Sequence, residues 1–319
     1  GGVDMTDTQN EVFKTPVNKI RLFEHGAPGS QNLKLTRKYY TEDMPDGRVK
    51  HIVQNITDPD IVPYIPDGIG NSTDRQRIPA VLIIPGGAFR RLVYNFEGED
   101  VAKWLNSMGI AAFVLECRLP SDEHDNAEDV PLIDAMRAMR VIRGRAQEFG
   151  IDEAKIGVMG FSAGGFMAAL LSTAYESDVY ADYKYKDEYD KLSARPDFAV
   201  CSYPVISIDD CIEAGKRYMS EEQVLERISD SKAKILHKYN PDKLVRPDMP
   251  PVFICETDDD RTTLSENSVG FYMAARKAGV SAELHIFRTG GHGYGCGDDF
   301  AQTGEWKVLF TKWSKSIGI

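Results

Sequence analysis

The residues most able to do chemistry cluster around Ser162. It stands in Gly160-Phe161-Ser162-Ala163-Gly164, after the apolar run Lys155–Met159 and before a helical pattern beginning at Ala163. A turn this tight from strand to helix holds its central residue in a strained backbone conformation. Side chains two positions either side would collide, so the turn requires glycine at Gly160 and Gly164. The strain lifts the serine Oγ clear of a sheet edge, and the following helix aims its first amides and positive dipole end at the same point. Such a serine can attack an acyl carbon once a base takes its proton. The plain alternative is a glycine-rich packing turn whose serine caps the helix.

Six histidines could supply the base: His25, His51, His124, His237, His285 and His292. His25 lies in an irregular opening stretch, His124 and His237 in charged stretches that read as solvated, and His51 and His285 inside strand-like runs. His292 differs. It sits in Thr289-Gly290-Gly291-His292-Gly293-Tyr294-Gly295, just past the last strand pattern, where glycines let a loop carry an imidazole over a sheet edge. It also follows Ser162 in chain order, as a base in this arrangement does. A carboxylate between them should accept the Nδ1–H of His292 and stabilise the imidazolium. The run Val252–Cys255 exits into Glu256-Thr257-Asp258-Asp259-Asp260. That exit delivers three aspartates without choosing among them; the others read as a solvated turn. Pro85-Gly86-Gly87-Ala88-Phe89 follows the first core run. Its small residues would let the amides of Gly87 and Ala88, with that of Ala163, hold a tetrahedral oxyanion.

These stretches need a scaffold that brings them to one rim. Six short, nearly continuous apolar runs supply it: Ala80–Ile84, Ala111–Leu115, Lys155–Met159, Phe198–Tyr203, Val252–Cys255 and Ala282–Phe287. They fit parallel strands covered on both faces. Helical patterns lie between them at Glu99–Met108, Pro131–Phe149, Ala163–Tyr175 and Ser265–Ala278. A closing helix, Glu305–Ile317, carries Trp306, Leu309, Phe310 and Trp313 on one core-facing stripe. Alternation of this kind implies a doubly wound, mostly parallel α/β sheet. Residues 1–33 read as an irregular, poorly packed lead-in, and 34–319 as one domain. Within that domain, 34–56 read as half-exposed strands and 57–78 as loop. Residues 207–246 read as a charged helical insertion over the active-site edge.

The chain has 319 residues, enough for one large core without disulfide or metal. Its net charge of −11 argues against nucleic acid or anionic membrane as partner. No apolar run reaches the length of a membrane span, and no signal peptide is visible. The opening Gly-Gly looks like a cloning scar. A soluble protein is expected, its compartment left open between cytoplasm and, if a leader was trimmed, periplasm or exterior. The five cysteines, Cys117, Cys201, Cys211, Cys255 and Cys296, read as buried free thiols. Phosphate-loop, zinc-protease and tetrahedral cysteine motifs are absent, so neither metal nor organic cofactor is expected.

Taken together, Gly-Phe-Ser-Ala-Gly-Gly, Pro-Gly-Gly-Ala-Phe, Arg118-Leu119-Pro120, Ser193-Ala194-Arg195-Pro196-Asp197-Phe198, Glu266-Asn267-Ser268 and Gly290–Gly295 resemble bacterial esterases of the α/β-hydrolase superfamily. The branch is that of the acetylxylan and feruloyl-esterase-like enzymes, related to the prolyl oligopeptidase and dienelactone hydrolase groups. The resemblance runs from about Pro79 to Trp313. It implies an α/β-hydrolase fold with Ser162 as nucleophile and His292 as base. In the family the acid is the first of a pair of aspartates, which points to Asp259, with Asp260 as the alternative. The sequence departs there: Glu256 stands where relatives carry His or Gly, and Thr262-Thr263-Leu264 replaces an apolar pair and proline. Phe166 stands where relatives often have His. The resemblance implies an esterase removing small acyl groups, acetyl first, from plant-polysaccharide sugars such as xylan fragments. The substrate would be a small-molecule or oligosaccharide ester. A general carboxylesterase or lipase-like enzyme, a peptidase of the same fold and a non-catalytic binding protein are the alternatives. Assembly with copies of itself is left open.

Overall fold

A computed structural model describes residues 13–69, 76–228 and 230–319. Its strands and helices follow the chain as β1 (Ile20–Arg21), β2 (Lys38–Asp43), β3 (Val49–Gln54), β4 (Asp60–Tyr64), β5 (Ile78–Ile84), β6 (Leu92–Val93), α1 (Asp100–Ser107), β7 (Ala111–Glu116), α2 (Val130–Gly144), α3 (Ala146–Phe149), β8 (Ile151–Phe161), α4 (Ala163–Ala174), β9 (Ala199–Ser202), α5 (Ile208–Lys216), α6 (Glu221–Arg227), α7 (Asp230–Lys238), β10 (Val252–Thr257), α8 (Ser265–Lys277), β11 (Ala282–Phe287) and α9 (Glu305–Ser316). Each of the six apolar runs forms one of the strands β5, β7, β8, β9, β10 and β11, which lie parallel in an eight-stranded sheet ordered β1-β4-β7-β5-β8-β9-β10-β11. Their apolar continuity follows from cover on both faces. On one face α4 packs on β8 and β9, with α2 beside it. On the other, Trp104 of α1 meets Trp306 of α9 edge-on at 4.9 Å. Trp306, Phe310 and Trp313 are buried as their spacing requires.

Two expectations fail in the first quarter of the chain. Residues 57–78 were expected to be loop, yet β4 lies inside them and joins the main sheet antiparallel to β7, pairing Ile61 with Leu115 and Pro63 with Phe113. Asp60 and Pro63 hid the strand. Pro63 is tolerated because β1 pairs only with Asp60 and Ile61, so no strand there needs a donor from the proline; its carbonyl accepts the Asn18 side-chain amide at 3.3 Å. The described part of the lead-in, expected to pack poorly, is anchored instead. Leu22, Phe23 and Ala27 are buried, and Phe13 stacks on His51 at 4.4 Å. The fully buried Arg118 binds the carboxylate of Asp134 on α2 through two nitrogens and reaches back to Pro28 O and to Ser30 Oγ. His124, expected to be solvated, is buried as well, with Nδ1 2.8 Å from Ser30 Oγ. That burial pushes its pKa down to about 4.

After β9 the chain forms α5, α6 and α7. Ser207 caps α5 by accepting the Asp210 amide, and Ser220 forms a capping box with Gln223 at α6. The end of α7 ties back to the start of α2 through Lys238 and Tyr239, both hydrogen-bonded to Asp129. Among the described residues, no helix is long and apolar enough to cross a membrane. All five cysteines are free thiols; Cys117, Cys201 and Cys255 are buried and Cys211 and Cys296 half-buried.

Candidate active site

Parallel strands deliver their loops to one edge, and there three far-apart segments meet. Ser162 turns between β8 and α4 with φ 57° and ψ −116°, a conformation costing a non-glycine residue about 1–3 kcal/mol. The neighbouring glycines explain how the turn closes. A Cβ on Gly160 would lie 1.9 Å from the carbonyl oxygen of Gly164, and one on Gly164 would lie 1.9 Å from that of Ile84. The strained serine is held by its own backbone, its amide donating to Ser202 O at 3.0 Å and its carbonyl accepting the Phe166 amide at 3.0 Å.

The Oγ of Ser162 lies 2.8 Å from Nε2 of His292, and Nδ1 of His292 lies 2.7 Å from Oδ2 of Asp260. The carboxylate beside His292 is therefore that of Asp260, the alternative, and not that of Asp259. The turn after β10 decides this. Asp260 points inward and is 1% exposed; its Oδ1 accepts the amides of Thr262 and Thr263, both at 2.8 Å, leaving Oδ2 for the imidazole. Asp259 points outward and is exposed. It accepts the Gly291 amide at 2.8 Å, pinning the loop one residue before His292, and that bond holds its carboxyl below the usual range. Asp258 is exposed too.

The expected oxyanion loop packs directly on Ser162: a Cβ on Gly86 would lie 3.0 Å from the Ser162 Cβ. Gly87, Ala88 and Phe89 follow with φ of 150°, 57° and 62°. The Gly87 carbonyl accepts the amides of Arg90 and Arg91, and the Gly86 carbonyl that of Val93. Among the described residues, the amides of Gly87, Ala88 and Ala163 have no backbone hydrogen-bond partner outside regular helix and strand pairing. Phe166 packs edge-on against Phe89 at 5.5 Å, which makes it a support under this loop.

Three buried residues around the relay had not been singled out for a role. Tyr203 ends the β9 run with φ 35° and sets its ring edge-on to His292, centroids 4.9 Å apart. Its position at the strand exit was legible, its contact with the base was not. Glu256, noted only as a departure, is fully buried and hydrogen-bonds Asp260; burial and the neighbouring carboxylate push it up to about 10. Its oxygens also accept the Thr257 amide at 2.9 Å and the Ser268 hydroxyl at 3.4 Å. Glu97, in a stretch with no motif signal, is buried beneath Gly86.

A strained serine on a strand–helix elbow, relayed through histidine to aspartate at the carboxyl edge of a mostly parallel sheet, defines an α/β-hydrolase. A BD-FAE family model matches residues 69–274, and the chain belongs to that family. It is 31% identical over 240 residues to an acetylxylan esterase of Xylanibacter ruminicola, covering 75% of this chain and 45% of that protein. It is also 31% identical over 227 residues to endo-1,4-beta-xylanase B of Butyrivibrio fibrisolvens, covering 71% of this chain and 34% of that one. The chain thus spans less than half the length of either curated relative. Among solved structures, an acetyl ester-xyloside bifunctional hydrolase from Caldicellulosiruptor lactoaceticus superimposes with a TM-score of 0.71 at 34% identity, over 95% of this chain and 97% of that one.

Proposed function

We propose that the protein is a serine esterase that hydrolyses small carboxylic esters, acetyl groups on xylan-derived sugars foremost, through an acyl-enzyme on Ser162. The observation that carries this reading is the continuous line from Ser162 Oγ through His292 to Asp260. Ser162 attacks the ester carbonyl as His292 Nε2 takes its proton. Asp260 holds the imidazole by its Nδ1–H and stabilises the imidazolium. The amides of Gly87, Ala88 and Ala163 bind the oxyanion. His292 then protonates the leaving alcohol, and water repeats the sequence to release the acid.

Two findings support a short acyl group. The two curated relatives and the bifunctional hydrolase described above are named for acetyl esters or xylan. A cavity of about 20 Å³ adjoins Gly87 and Ala163, walled by Phe89, Leu119 and Met167. Its small size and its place beside Gly87 and Ala163 are consistent with a short acyl group. The test is turnover of p-nitrophenyl acetate and of acetylated xylo-oligosaccharides beside butyryl, feruloyl and longer esters. Acetyl substrates should lead, and Ser162→Ala should abolish turnover. Equal rates in wild type and Ser162→Ala would refute the nucleophile.

A further inference from the structure

The proposed mechanism uses Asp260 and leaves a second buried carboxyl, Glu97, without a role. Glu97 lies on the π-helical turn Asn95–Glu99 between β6 and α1 and is 5% exposed. Its Oε1 accepts the Gly86 amide at 3.1 Å, and its Oε2 accepts the Tyr203 hydroxyl at 2.6 Å. Each partner leads to one half of the site. Gly86 opens the oxyanion loop so close to Ser162 that a Cβ there would lie 3.0 Å from the serine Cβ. Tyr203 lies against the His292 ring, and its hydroxyl oxygen accepts the amide of Gly295 at 3.0 Å, three residues past the base. Burying a carboxyl is unfavourable unless both oxygens are satisfied, and an apolar side chain would fill the same space without that requirement.

Building on the esterase reading, we propose that Glu97 is a positioning residue that ties the oxyanion loop to the loop carrying the general base. Three successive positive φ angles, at Gly87, Ala88 and Phe89, persist only where surrounding contacts over-determine them. The Val93, Arg90 and Arg91 amides anchor that loop to its own continuation. The Gly86–Glu97–Tyr203–Gly295 chain anchors it to the histidine side. Oxyanion donors act on charge that develops in the transition state, so losing their alignment lowers kcat and leaves KM nearly unchanged.

The test compares the full chain with Glu97→Met, Glu97→Gln and Tyr203→Phe, measuring kcat and KM on p-nitrophenyl acetate and thermal unfolding. Methionine fills the volume without accepting either bond. It should still unfold cooperatively, at a midpoint lowered by the loss of an acceptor for the buried Gly86 amide and Tyr203 hydroxyl. Its kcat should nonetheless fall by about 100-fold with KM within about twofold. Glutamine can still accept from Gly86 and donate to the Tyr203 oxygen, so it should recover to within about tenfold of wild type. Tyr203→Phe keeps a ring on His292 and breaks the tie, so it should fall between the two. Wild-type kcat in Glu97→Met, a loss confined to KM, or glutamine no better than methionine would overturn the proposal. Should Glu97→Met fail to fold, unchanged kcat in Tyr203→Phe overturns it equally. An inactive wild type matched by Ser162→Ala would overturn the esterase reading itself, a result distinguishable from all of these.

Discussion

Exchanging Asp260 for asparagine tests which aspartate serves the base, and the structure fixes how the amide must sit. Asp260 Oδ1 accepts two backbone amides, from Thr262 and Thr263. In Asp260→Asn the carbonyl oxygen keeps that place, because turning the amide would aim its NH2 at two N–H donors. The NH2 then faces His292 Nδ1, now 2.7 Å from Oδ2. An NH2 there requires Nδ1 to be the acceptor, so the proton moves to Nε2, the nitrogen that faces Ser162 Oγ at 2.8 Å. An imidazole in that tautomer cannot take the serine proton. Enforcing the wrong tautomer in a serine triad lowers kcat by about 10⁴, equivalent to about 5 kcal/mol of transition-state stabilisation. Asp259→Asn makes the contrast. Its oxygen can still accept the Gly291 amide, the residue is exposed, and kcat should stay within about threefold of wild type. Steady-state hydrolysis of p-nitrophenyl acetate by the two variants, with circular dichroism to confirm folding, decides the matter. A folded Asp260→Asn enzyme near wild-type rate, or an Asp259→Asn enzyme down by thousands, would refute the reasoning.

Further outcomes follow from the buried charges and the small cavity. Glu256 is pushed up to about 10, so between its unfolded value near 4 and that point the folded state holds a proton the unfolded state lacks, and stability declines as pH rises. Glu256→Gln keeps a neutral donor toward Asp260; it should retain activity, gain about 1 kcal/mol or more at pH 8 and flatten the decline, as denaturant melts across pH 5–9 will show. His124 is held down to about 4 in the fold against about 6.5 unfolded, so stability falls as pH drops through that window, by about 2 kcal/mol after allowing for partial hydration. His124→Gln should remove most of that slope, and an unaltered slope would show that His124 is not its source. Asp134→Ala leaves the fully buried Arg118 unpaired and should cost about 3–5 kcal/mol in chemical denaturation. Met167→Ala enlarges the cavity beside Ala163 and should shift the kcat/KM ratio of butyrate over acetate ester upward by about tenfold; an unchanged ratio would show that the acyl group binds elsewhere.

Much of the fold was written in local pattern. The parallel strands were visible because burial on both faces makes each an uninterrupted apolar run, as in Ala111–Leu115. β4 was not, since a five-residue strand containing Asp60 and Pro63 has no such run. It exists because Asp60 forms a largely buried ion pair with Arg37 and because no neighbouring strand requires a donor at Pro63, whose nitrogen carries no hydrogen. The lead-in was misread for a similar reason. Its anchorage depends on Arg118, Asp134 and His124, about ninety residues or more away, and composition says nothing about partners at that distance.

The site divides along the same line. Ser162 and its glycines were readable because the strain of the turn acts on the backbone itself, and only certain residue types survive it. His292 was readable from chain order and the glycines around it. The acid was not, because the choice between Asp259 and Asp260 is set by which way the turn after β10 rotates. That rotation is fixed by the Thr262 and Thr263 amides, which need an acceptor as α8 is approached. Neighbouring residues in such a turn face opposite ways, one into the protein and one into water, while their side chains are chemically identical. The outward one still matters to the site, since Asp259 holds Gly291 and so sets where the base can stand. Two adjacent aspartates therefore perform separable tasks, one on the imidazole and one on the loop that carries it.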